Sequence, residues 1–226
     1  MIKKLALAVP FSLALAMAPL SSFAAKFYEG THYTQVSDKA PSSQPKLTEF
    51  FSFYCHNCFT FESQYMPSIK PHLNSNIKFE TKHVEFKRSD LMEEVMRSLS
   101  VIQQIGRGNK QISAMNLAMF NAIQGEEAEA GHDHVEGDVH EPTIKSRDDI
   151  KKIFANFGVD ANHYDKLADN NITNDNLKLW RQQQREFRIQ SVPAFIVNDK
   201  YAVNLNSIRS LSDMVELINY LSEKKE

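Results

Sequence analysis

The sequence is poor in the residues that would mark an unusual kind of chain. Of its 226 residues only two are cysteine, seven are glycine and eight are proline. These low counts exclude a disulfide-stapled mini-protein, a collagen-like chain and a low-complexity disordered chain. With 42% hydrophobic and 24% charged residues, the composition is that of an ordinary globular protein. The formal net charge of −2 gives no electrostatic reason to bind nucleic acid, so we expect no nucleic-acid partner.

Residues 1–24 have the pattern of a secretory signal peptide. Lys3 and Lys4 form a positive start, and an apolar run follows from Leu5 to Leu20. The segment Ser22-Phe23-Ala24 then places small residues where a signal peptidase recognises them. A membrane anchor is the alternative, but the run is short and interrupted for a bilayer roughly 30 Å thick. We therefore predict cleavage after residue 24 and export to the periplasm, where thiols can be oxidised.

The rest of the chain alternates strand and helix patterns. Lys46–Phe53 is apolar and aromatic enough for a buried strand, and a helix kinked at Pro67 is predicted to follow it. Ile77–Thr81 alternates as a second strand, with a bulge or strand end near His83. Several segments with apolar residues at helical spacing come next, and Ser146 opens one of them as the first residue of a capping box.

Strand character returns near the end of the chain. Ala194–Val197 and Tyr201–Val203 are predicted to form a hairpin, and a last helix opens at Ser210. The residues we expect that helix to bury are Leu211, Val215, Ile218 and Leu221. This order predicts an α/β fold interrupted by an all-helical insertion. We place the α/β domain at residues 25–86 and 165–226 and the insertion at residues 87–164.

The segment at residues 125–142 differs in composition from the rest of the chain. It carries seven acidic residues and neither lysine nor arginine, so a solvated loop between helices is the expected state. His132, His134 and His140 lie in this segment, and histidines beside carboxylates could hold a metal. A loop that orders no ligands before binding is the better interpretation, so we predict no metal site.

Cys55-His56-Asn57-Cys58 is a C-x-x-C motif at the predicted junction of strand and helix. Unpaired backbone N–H groups at a helix start carry partial positive charge, so we expect the pKa of Cys55 to be lowered. Cys58 lies one turn further along, within reach of Cys55 and less exposed. The pair is therefore predicted to cycle between dithiol and disulfide, with Cys55 exchanging and Cys58 resolving the mixed disulfide.

A C-x-x-C motif has three other common uses. A structural zinc site usually needs four ligands, and only two thiols exist, although His132 or His134 could add to them. A c-type haem site needs histidine directly after the second cysteine, where Phe59 stands. A structural disulfide that closes so short a loop would constrain the unfolded chain little. We therefore expect no metal and no cofactor.

A second element agrees with redox chemistry. Ser191-Val192-Pro193-Ala194 directly precedes the apolar strand of the predicted hairpin. If the Val192–Pro193 bond is cis, the backbone of Val192 would be free near the cysteine sulfurs, where an extended substrate peptide could pair with it. The alternative is an ordinary proline at the entry to a strand.

At this point the chain resembles the DsbA family of exported thiol oxidases, within the thioredoxin superfamily. The matching segments are Lys26-Phe27-Tyr28-Glu29-Gly30, Leu47 to Phe53 with Cys55 and Cys58, Ser191 to Phe195, and Leu221-Ser222-Glu223-Lys224. The resemblance implies a thioredoxin fold with an inserted helical domain, a cis Pro193, and oxidation of dithiols in newly exported proteins. It also implies that a quinone-linked membrane oxidase of the DsbB type reloads the disulfide. We expect a monomer.

The chain departs from the family pattern in the C-x-x-C dipeptide, in the partner of Glu49, and in the acidic segment 125–142, which is not a typical family feature. The family typically has C-P-H-C, but here His56 follows the first cysteine and Asn57 takes the usual histidine position. Asn57 can donate a hydrogen bond but carries no charge, so we predict a weaker oxidant than the family norm. Glu49 matches the family's buried acid, whereas its lysine partner aligns with Thr81 or Lys82, which leaves open whether Glu49 keeps a cation.

Three functions follow, in order of preference. The first is a periplasmic dithiol oxidase acting on reduced or unfolded exported proteins. The second is a disulfide reductase or isomerase on the same fold, favoured by the altered dipeptide. The third is a peptide-binding or metal-carrying protein that uses the histidine-containing segment, and its binding should survive replacement of Cys55 by serine.

Overall fold

A five-stranded mixed sheet forms the centre of the fold. The computed structural model describes residues 26–106, 108–125 and 143–224, so the predicted signal peptide and His132, His134 and His140 lie outside the described residues. The strands are β1 (Tyr33–Gln35), β2 (Lys46–Phe51), β3 (Lys78–His83), β4 (Ala194–Val197) and β5 (Tyr201–Val203). Their order is β1-β5-β4-β2-β3, with β2 and β3 parallel and the other neighbours antiparallel.

The helices of the described residues fall into three groups along the chain. After β2 come α1 (His56–Thr60) and α2 (Met66–Ile69), joined by a π-helical segment, Phe61–Tyr65. Between β3 and β4 lie α3 (Asp90–Ile105), α4 (Gly108–Gln124), α5 (Arg147–Ala155), α6 (Ala161–Ala168) and α7 (Asn171–Glu186). The last helix is α8 (Leu211–Glu223). The predicted order of strand, helix, strand, several helices, hairpin and helix is confirmed.

β2 is two residues shorter than predicted. Its ladder with β3 ends where Val84 donates to the carbonyl of Phe51 at 2.9 Å. The next buried N–H, that of Phe53, donates instead to the His83 side chain at 3.0 Å. A side chain therefore replaces a strand neighbour at this point, and the backbone turns out of the sheet towards Cys55. The strand end expected near His83 is confirmed.

The predicted kink at Pro67 takes the form of the π-helical segment that precedes α2. Proline has no N–H to donate to the carbonyl four residues back, so the regular hydrogen-bond pattern cannot continue through it. The segment Phe61–Tyr65 absorbs the interruption with a wider turn, which brings Glu62 into the protein interior at 5% exposure. π-helical turns of this kind are often found at functional sites.

Three hydrophobic clusters hold the fold together. The largest lies among the helices between β3 and β4 and also takes in Phe53, Cys58 and Phe59. The second joins the sheet to α2 and α8, with Leu47 and Phe195 at its centre. The third is smaller and includes Phe50, Val84, Phe187 and Ile196. The motif therefore lies where the sheet meets the helical insertion.

The buried face of α8 differs in part from the expected one. Ser210 caps the helix as predicted, with its Oγ accepting from the N–H of Asp213 at 3.1 Å. Ile218 and Leu221 are buried as predicted, but Leu211 is 37% exposed and Val215 only half-buried. The positions that Leu211 and Val215 were expected to fill are taken by Met214 and Leu217, so the apolar stripe is rotated about the helix axis.

Two short elements were not predicted. β1 has three residues, too few to show an alternating pattern, and it pairs with β5 at the edge of the sheet. α6 begins at the N-cap Asp160, whose side chain accepts from the N–H of His163 at 2.9 Å. Over the described residues, no helix has the length and apolarity needed to cross a membrane.

Candidate active site

Cys55 lies at the start of α1, as predicted from the motif. It is the N-cap residue with extended backbone, and its N–H donates to the carbonyl of Ser52 at 2.9 Å. The Ser52 hydroxyl accepts from the N–H of Tyr54 at 3.2 Å. These two contacts fold the chain sharply between β2 and α1. Cys55 is half-buried there, with its sulfur facing the first turn of the helix.

The Phe53 peptide groups are held by side chains from two other elements. The N–H of Phe53 donates to Nε2 of His83 at 3.0 Å, and Nδ1 of His83 lies 2.7 Å from the carbonyl of Val84. Nε2 of Gln124 donates to the carbonyl of Phe53 at 2.6 Å. Since Nε2 must accept, His83 is neutral with its proton on Nδ1. Burial lowers the pKa of His83 to about 4, in keeping with this state.

Sequence reasoning missed His83 and Gln124 as supports of the site. Both are far from Cys55 in sequence, and the chain carries no motif that pairs them with Phe53. The sequence predicts a bulge or strand end near His83, and this signal indicates where a strand stops rather than which residue His83 contacts. We name this pair, with Phe53, the Phe53 clamp.

The sulfur of Cys55 is in an environment that favours the thiolate. It accepts from the N–H of Cys58 at 3.2 Å and lies 3.3 Å from the carbonyl of Val192. The hydrogen bond from the Cys58 thiol is the largest effect, and together with the N–H groups of Cys58 and Asn57 it outweighs desolvation and lowers the pKa of Cys55 to about 7. The lowered pKa predicted from the motif is thus found.

Cys58 is fully buried, and its properties are the reverse of those of Cys55. Burial raises its pKa well above the usual range, and the neighbouring Cys55 sulfur raises it further. The two thiols are free in this structure. The site therefore holds one accessible sulfur that is readily ionised and one covered sulfur that keeps its proton.

The Val192–Pro193 peptide bond is cis, as the resemblance implied. It lies directly before β4 and places the carbonyl of Val192 against the Cys55 sulfur. The turn also brings Val192 against the large hydrophobic cluster that contains Cys58. The strand-entry proline and the cysteine motif, remote in sequence, thus form one surface.

His56 and Asn57 both have exposed side chains. Among the described residues neither side chain hydrogen bonds to the Cys55 sulfur, whose partners are backbone groups and Cys58. Asn57 acts on the sulfur through its backbone N–H. Of the nearby aromatic residues, Phe53 and Phe59 are core and Tyr54 is 42% exposed.

Glu49 is buried beneath the motif, as predicted. It is 2% exposed, and burial, followed by the charge of Glu62, raises its pKa to about 8. Thr81 lies opposite it on β3, and Lys82 faces Gln183 and Glu80 instead. The cation that acts on Glu49 is Lys70, which the sequence did not indicate.

Lys70 belongs to a small polar group around the π-helical segment. Its Nζ lies 3.6 Å from Glu62, whose Oε1 accepts from the hydroxyl of Ser113 at 2.7 Å. No group of three or more histidine, cysteine, aspartate or glutamate side chains able to hold a metal occurs within residues 26–106, 108–125 and 143–224.

The fold and site together define a thioredoxin-like dithiol centre: a C-x-x-C at the start of a helix, opposite a cis proline. The family model for a DSBA-like thioredoxin domain matches residues 46–216. The chain belongs to the DsbA family of thiol:disulfide oxidoreductases, and the thioredoxin fold with a helical insertion is confirmed.

Similar proteins agree over nearly the full length of the chain. The thiol:disulfide interchange protein DsbA of Haemophilus influenzae is 30% identical, over 98% of this chain and 100% of that protein. DsbA of Escherichia coli K12 is 26% identical, over 95% and 97%. Among solved structures, a complex of Proteus mirabilis DsbA with a non-covalently bound peptide has a TM-score of 0.70 at 26% identity, covering 88% of this chain and 100% of that one.

Proposed function

We propose that Cys55 and Cys58 are the redox pair through which this protein introduces disulfide bonds into exported proteins. The observation that carries the proposal is the contrast between the two sulfurs. Cys55 is accessible with a pKa lowered to about 7, whereas Cys58 is covered and keeps its proton. A low pKa makes Cys55 a good leaving group, which favours the transfer of the disulfide to substrate.

The reaction balances as two thiol–disulfide exchanges. In the oxidised protein, a substrate thiolate attacks the Cys55 sulfur, a substrate–Cys55 bond forms, and the Cys55–Cys58 bond breaks. Cys58 leaves with the electron pair and takes up a proton. A second substrate thiolate then attacks the substrate sulfur of the mixed disulfide, and Cys55 leaves as a thiolate. The substrate dithiol is oxidised by two electrons and the Cys55–Cys58 disulfide is reduced.

Glu49 is the proposed source of the proton for Cys58. With its pKa raised to about 8, the carboxyl group is mostly protonated at neutral pH. The charge of Glu49 is among the causes that raise the pKa of Cys58, so the two groups are electrostatically coupled inside the protein. Glu49 thus acts on the pair as a supporting residue.

The cis-proline turn is the proposed site for the substrate backbone. Val192 presents its backbone beside the Cys55 sulfur, so a peptide that pairs with this turn brings its cysteine to the reacting atom. The peptide-bound Proteus mirabilis structure shows that a related protein binds a peptide. The side chains of His56 and Asn57 are exposed beside this surface, and we assign both residues to the active site because of that position.

The cellular setting is inferred from the sequence and the family. A signal peptide at residues 1–24 would deliver the chain to the periplasm, where substrates are newly exported proteins with reduced thiols. Reoxidation of the dithiol requires an electron acceptor, for which a quinone-linked membrane oxidase of the DsbB type is the proposed partner. We further propose a monomer whose α/β domain, residues 25–86 and 165–226, carries the helical insertion of residues 87–164.

A reductase or isomerase role is the second candidate. The observation in its favour is Asn57, which brings no charge to the Cys55 sulfur where the family typically has histidine. A more stable Cys55–Cys58 disulfide would lower the reduction potential of the pair. The dithiol form would then pass electrons more readily to substrate disulfides. The reduction potential decides between the two candidates.

Oxidative refolding of a reduced substrate protein tests the proposal. The oxidised parent protein should form disulfides in the substrate in stoichiometric amount, and Cys55→Ser should abolish this completely. Cys58→Ser should fail as well, because its lone Cys55 thiol has no disulfide to transfer. When it is given a substrate that already contains a disulfide, its Cys55 thiolate should attack that bond, release one substrate thiol and remain as a mixed disulfide, because no Cys58 thiol is present to resolve it. Refolding that continues at the parent rate in Cys55→Ser would contradict the assignment.

A further inference from the structure

A groove of about 800 Å³ runs along the β3 edge of the sheet. One wall is β3 with the turn that precedes it, and the other wall is formed by α3, α4 and α7. None of Cys55, Val192 and Pro193 lines it. We name it the β3 groove, and no step of the proposed reaction uses it.

The wall formed by β3 offers backbone groups for hydrogen bonding. β3 is an edge strand that pairs only with β2. Lys78 and Val84 donate their N–H groups towards β2, at 2.9 Å each, so the alternate residues Phe79 and Thr81 direct theirs into the groove. The carbonyl of Thr81 is taken by Nε2 of Gln103 at 2.8 Å. The N–H and carbonyl of Phe79 and the N–H of Thr81 have no protein partner among the described residues.

The opposite wall contains a buried amide oxygen that has no hydrogen-bond partner in the part of the chain that the structure describes. Asn116 of α4 lines the groove and is 3% exposed, and its Oδ1 makes no hydrogen bond to a described residue. Burying a polar amide oxygen without a hydrogen-bond partner destabilises a folded protein, so a ligand that supplies the partner is favoured. The side-chain amides of Asn176 and Gln183 line the same groove, although Nδ2 of Asn176 already donates to the Ser100 hydroxyl at 3.0 Å and Oε1 of Gln183 already accepts from Nζ of Lys82. Amides in such positions can bind the backbone of an extended peptide whatever its sequence.

The charge of the groove is positive. Lys46, Lys70, Lys78 and Lys82 line it, against the single carboxylate of Glu80. Lys78 and Lys82 share Glu80, at 2.8 and 3.6 Å.

The other two lysines have acidic partners outside the lining. Lys46 lies 2.6 Å from Asp199, and Lys70 lies 3.6 Å from Glu62. Even with these partners counted, the cations of the groove outnumber the carboxylates, so an acidic ligand is favoured over a neutral or basic one.

We propose that the β3 groove binds an extended acidic segment of polypeptide, which adds to the edge of β3 as a further strand. The backbone of the peptide bonds to Phe79 and Thr81 on one side and to the Asn116 amide on the other, and its carboxylates lie near the lysines. Addition of a strand to an open sheet edge is a common mode of peptide recognition. The groove thus holds an unfolded chain at a place separate from the cysteine pair.

The single tryptophan of the chain provides the test. Trp180 lines the groove, so its fluorescence reports on occupancy without any label. The probe is a cysteine-free, end-blocked peptide of alternating glutamate and threonine, titrated into the oxidised full-length protein; its matched control has glutamine in place of glutamate. We expect a saturable change in Trp180 emission with the glutamate peptide, weakened by high salt, and at least fivefold weaker binding of the glutamine peptide.

Two variants in α4 distinguish peptide binding in the β3 groove from binding elsewhere on the protein. Asn116→Leu removes the amide oxygen that has no partner among the described residues, and we expect roughly fivefold weaker binding, as for one neutral hydrogen bond. Asn121→Leu is the matched control, since Asn121 lies on the same helix, also has a buried Oδ1 without a partner, and does not line the groove. It should bind the peptide like the parent protein.

Thr81→Pro tests the strand edge directly. It removes an N–H that faces the groove, together with the hydroxyl that accepts from Gln103 at 3.2 Å. It leaves the Thr81 carbonyl, which also accepts from Gln103, and the ladder with β2 intact, so the fold should persist while peptide binding falls. The proposal is overturned by an absence of any binding, by equal binding of the glutamine peptide, or by equal losses in Asn116→Leu and Asn121→Leu. Because the peptide has no cysteine, these results do not depend on the redox function.

Discussion

At the scale of single residues, the reactive sulfur depends on backbone groups rather than on charged side chains. The Cys55 sulfur is approached by N–H groups of the first turn of α1 and by the Cys58 thiol. His56 and Asn57 lie exposed beside it. The dipeptide between the cysteines is therefore a place where charge can be added without disturbing the core.

Asn57→His should make the protein a stronger oxidant. A histidine cation near the sulfur would lower the pKa of Cys55 further, by roughly one unit. Each such unit stabilises the reduced form and corresponds to a rise in reduction potential of about 30 mV. The potential is measured by equilibration with glutathione, and Asn57→Gln serves as the uncharged control. A potential unchanged in Asn57→His would show that this position does not act on the sulfur.

Glu49→Gln should remove a pH effect on stability. The pKa of Glu49 is raised to about 8 in the folded protein from an ordinary value of 4.5, so between these values the unfolded chain releases a proton that the folded protein keeps. The free energy of unfolding of the parent therefore falls as pH rises from 4.5 to 8, by at most about 1.4 kcal/mol per pH unit from this group.

Urea unfolding of the reduced proteins across this pH range provides the measurement. The glutamine variant should be the more stable protein at pH 8, and its advantage should shrink as the pH is lowered to 4.5. A constant difference between variant and parent over the whole range would mean that Glu49 titrates normally.

At the scale of elements, the Phe53 clamp ties the motif to β3 and α4. His83 accepts from the N–H of Phe53, and Gln124 donates to its carbonyl, so both peptide groups two residues before Cys55 are fixed. One partner comes from the sheet and the other from the helical insertion. The insertion thus contributes to the position of the reactive sulfur as well as covering Cys58.

His83→Phe should lower the stability of the folded protein at neutral pH, and it should lower the stability less in acid. The variant keeps an aromatic ring against Phe51 and Phe53 but leaves the N–H of Phe53 unsatisfied, at a cost of about 1–3 kcal/mol at pH 7. The pKa of His83 is lowered to about 4 in the folded protein, so the stability it provides is lost as pH falls from 6.5 towards 4.

Thermal unfolding of parent and variant at pH 7 and at pH 4.5 checks this expectation. The difference in melting temperature between parent and variant should be smaller at pH 4.5 than at pH 7. A gap that widens in acid would show that His83 is protonated in the native state and does not accept from Phe53.

The sequence predicts elements that have a clear hydrophobic period or a local capping or turn signal. It does not predict contacts between residues that are far apart in the chain. β2, the kink at Pro67, the hairpin and the capping serines follow from spacing and local chemistry, and so does Cys55 at a helix start. The end of β2 at Phe51 and the support by His83 and Gln124 depend on side chains that meet only after folding. The buried face of α8 was misjudged because Leu211 and Met214 are equally apolar in sequence.

At the scale of the whole molecule, the redox state should change the stability of the fold. The pKa of Cys55 is lowered from 9 to about 7 in the folded dithiol form, so the reduced protein gains stability as pH rises through this window. The oxidised protein has no such thiol. The free energy of unfolding of the reduced protein should therefore rise relative to that of the oxidised protein as the pH rises from 7 to 9. The increase in this difference is at most about 1.4 kcal/mol per pH unit.

Parallel urea titrations of the oxidised and reduced proteins at pH 7 and pH 9 test this linkage. Cys55→Ser in the reduced form is the control, since it lacks the titrating thiol and should show no such gain with pH. Equal pH dependence of both redox forms would indicate that Cys55 has an ordinary pKa in the folded protein.

The central claim is that Cys55 carries a thiolate near neutral pH, and the pH dependence of its alkylation tests this most directly. With the reduced protein and iodoacetamide, the rate at Cys55 should rise with a midpoint near pH 7. Cys58→Ala should move the midpoint upward without restoring the ordinary value, because the backbone N–H groups remain. A midpoint near pH 9 in the reduced parent protein would contradict the account.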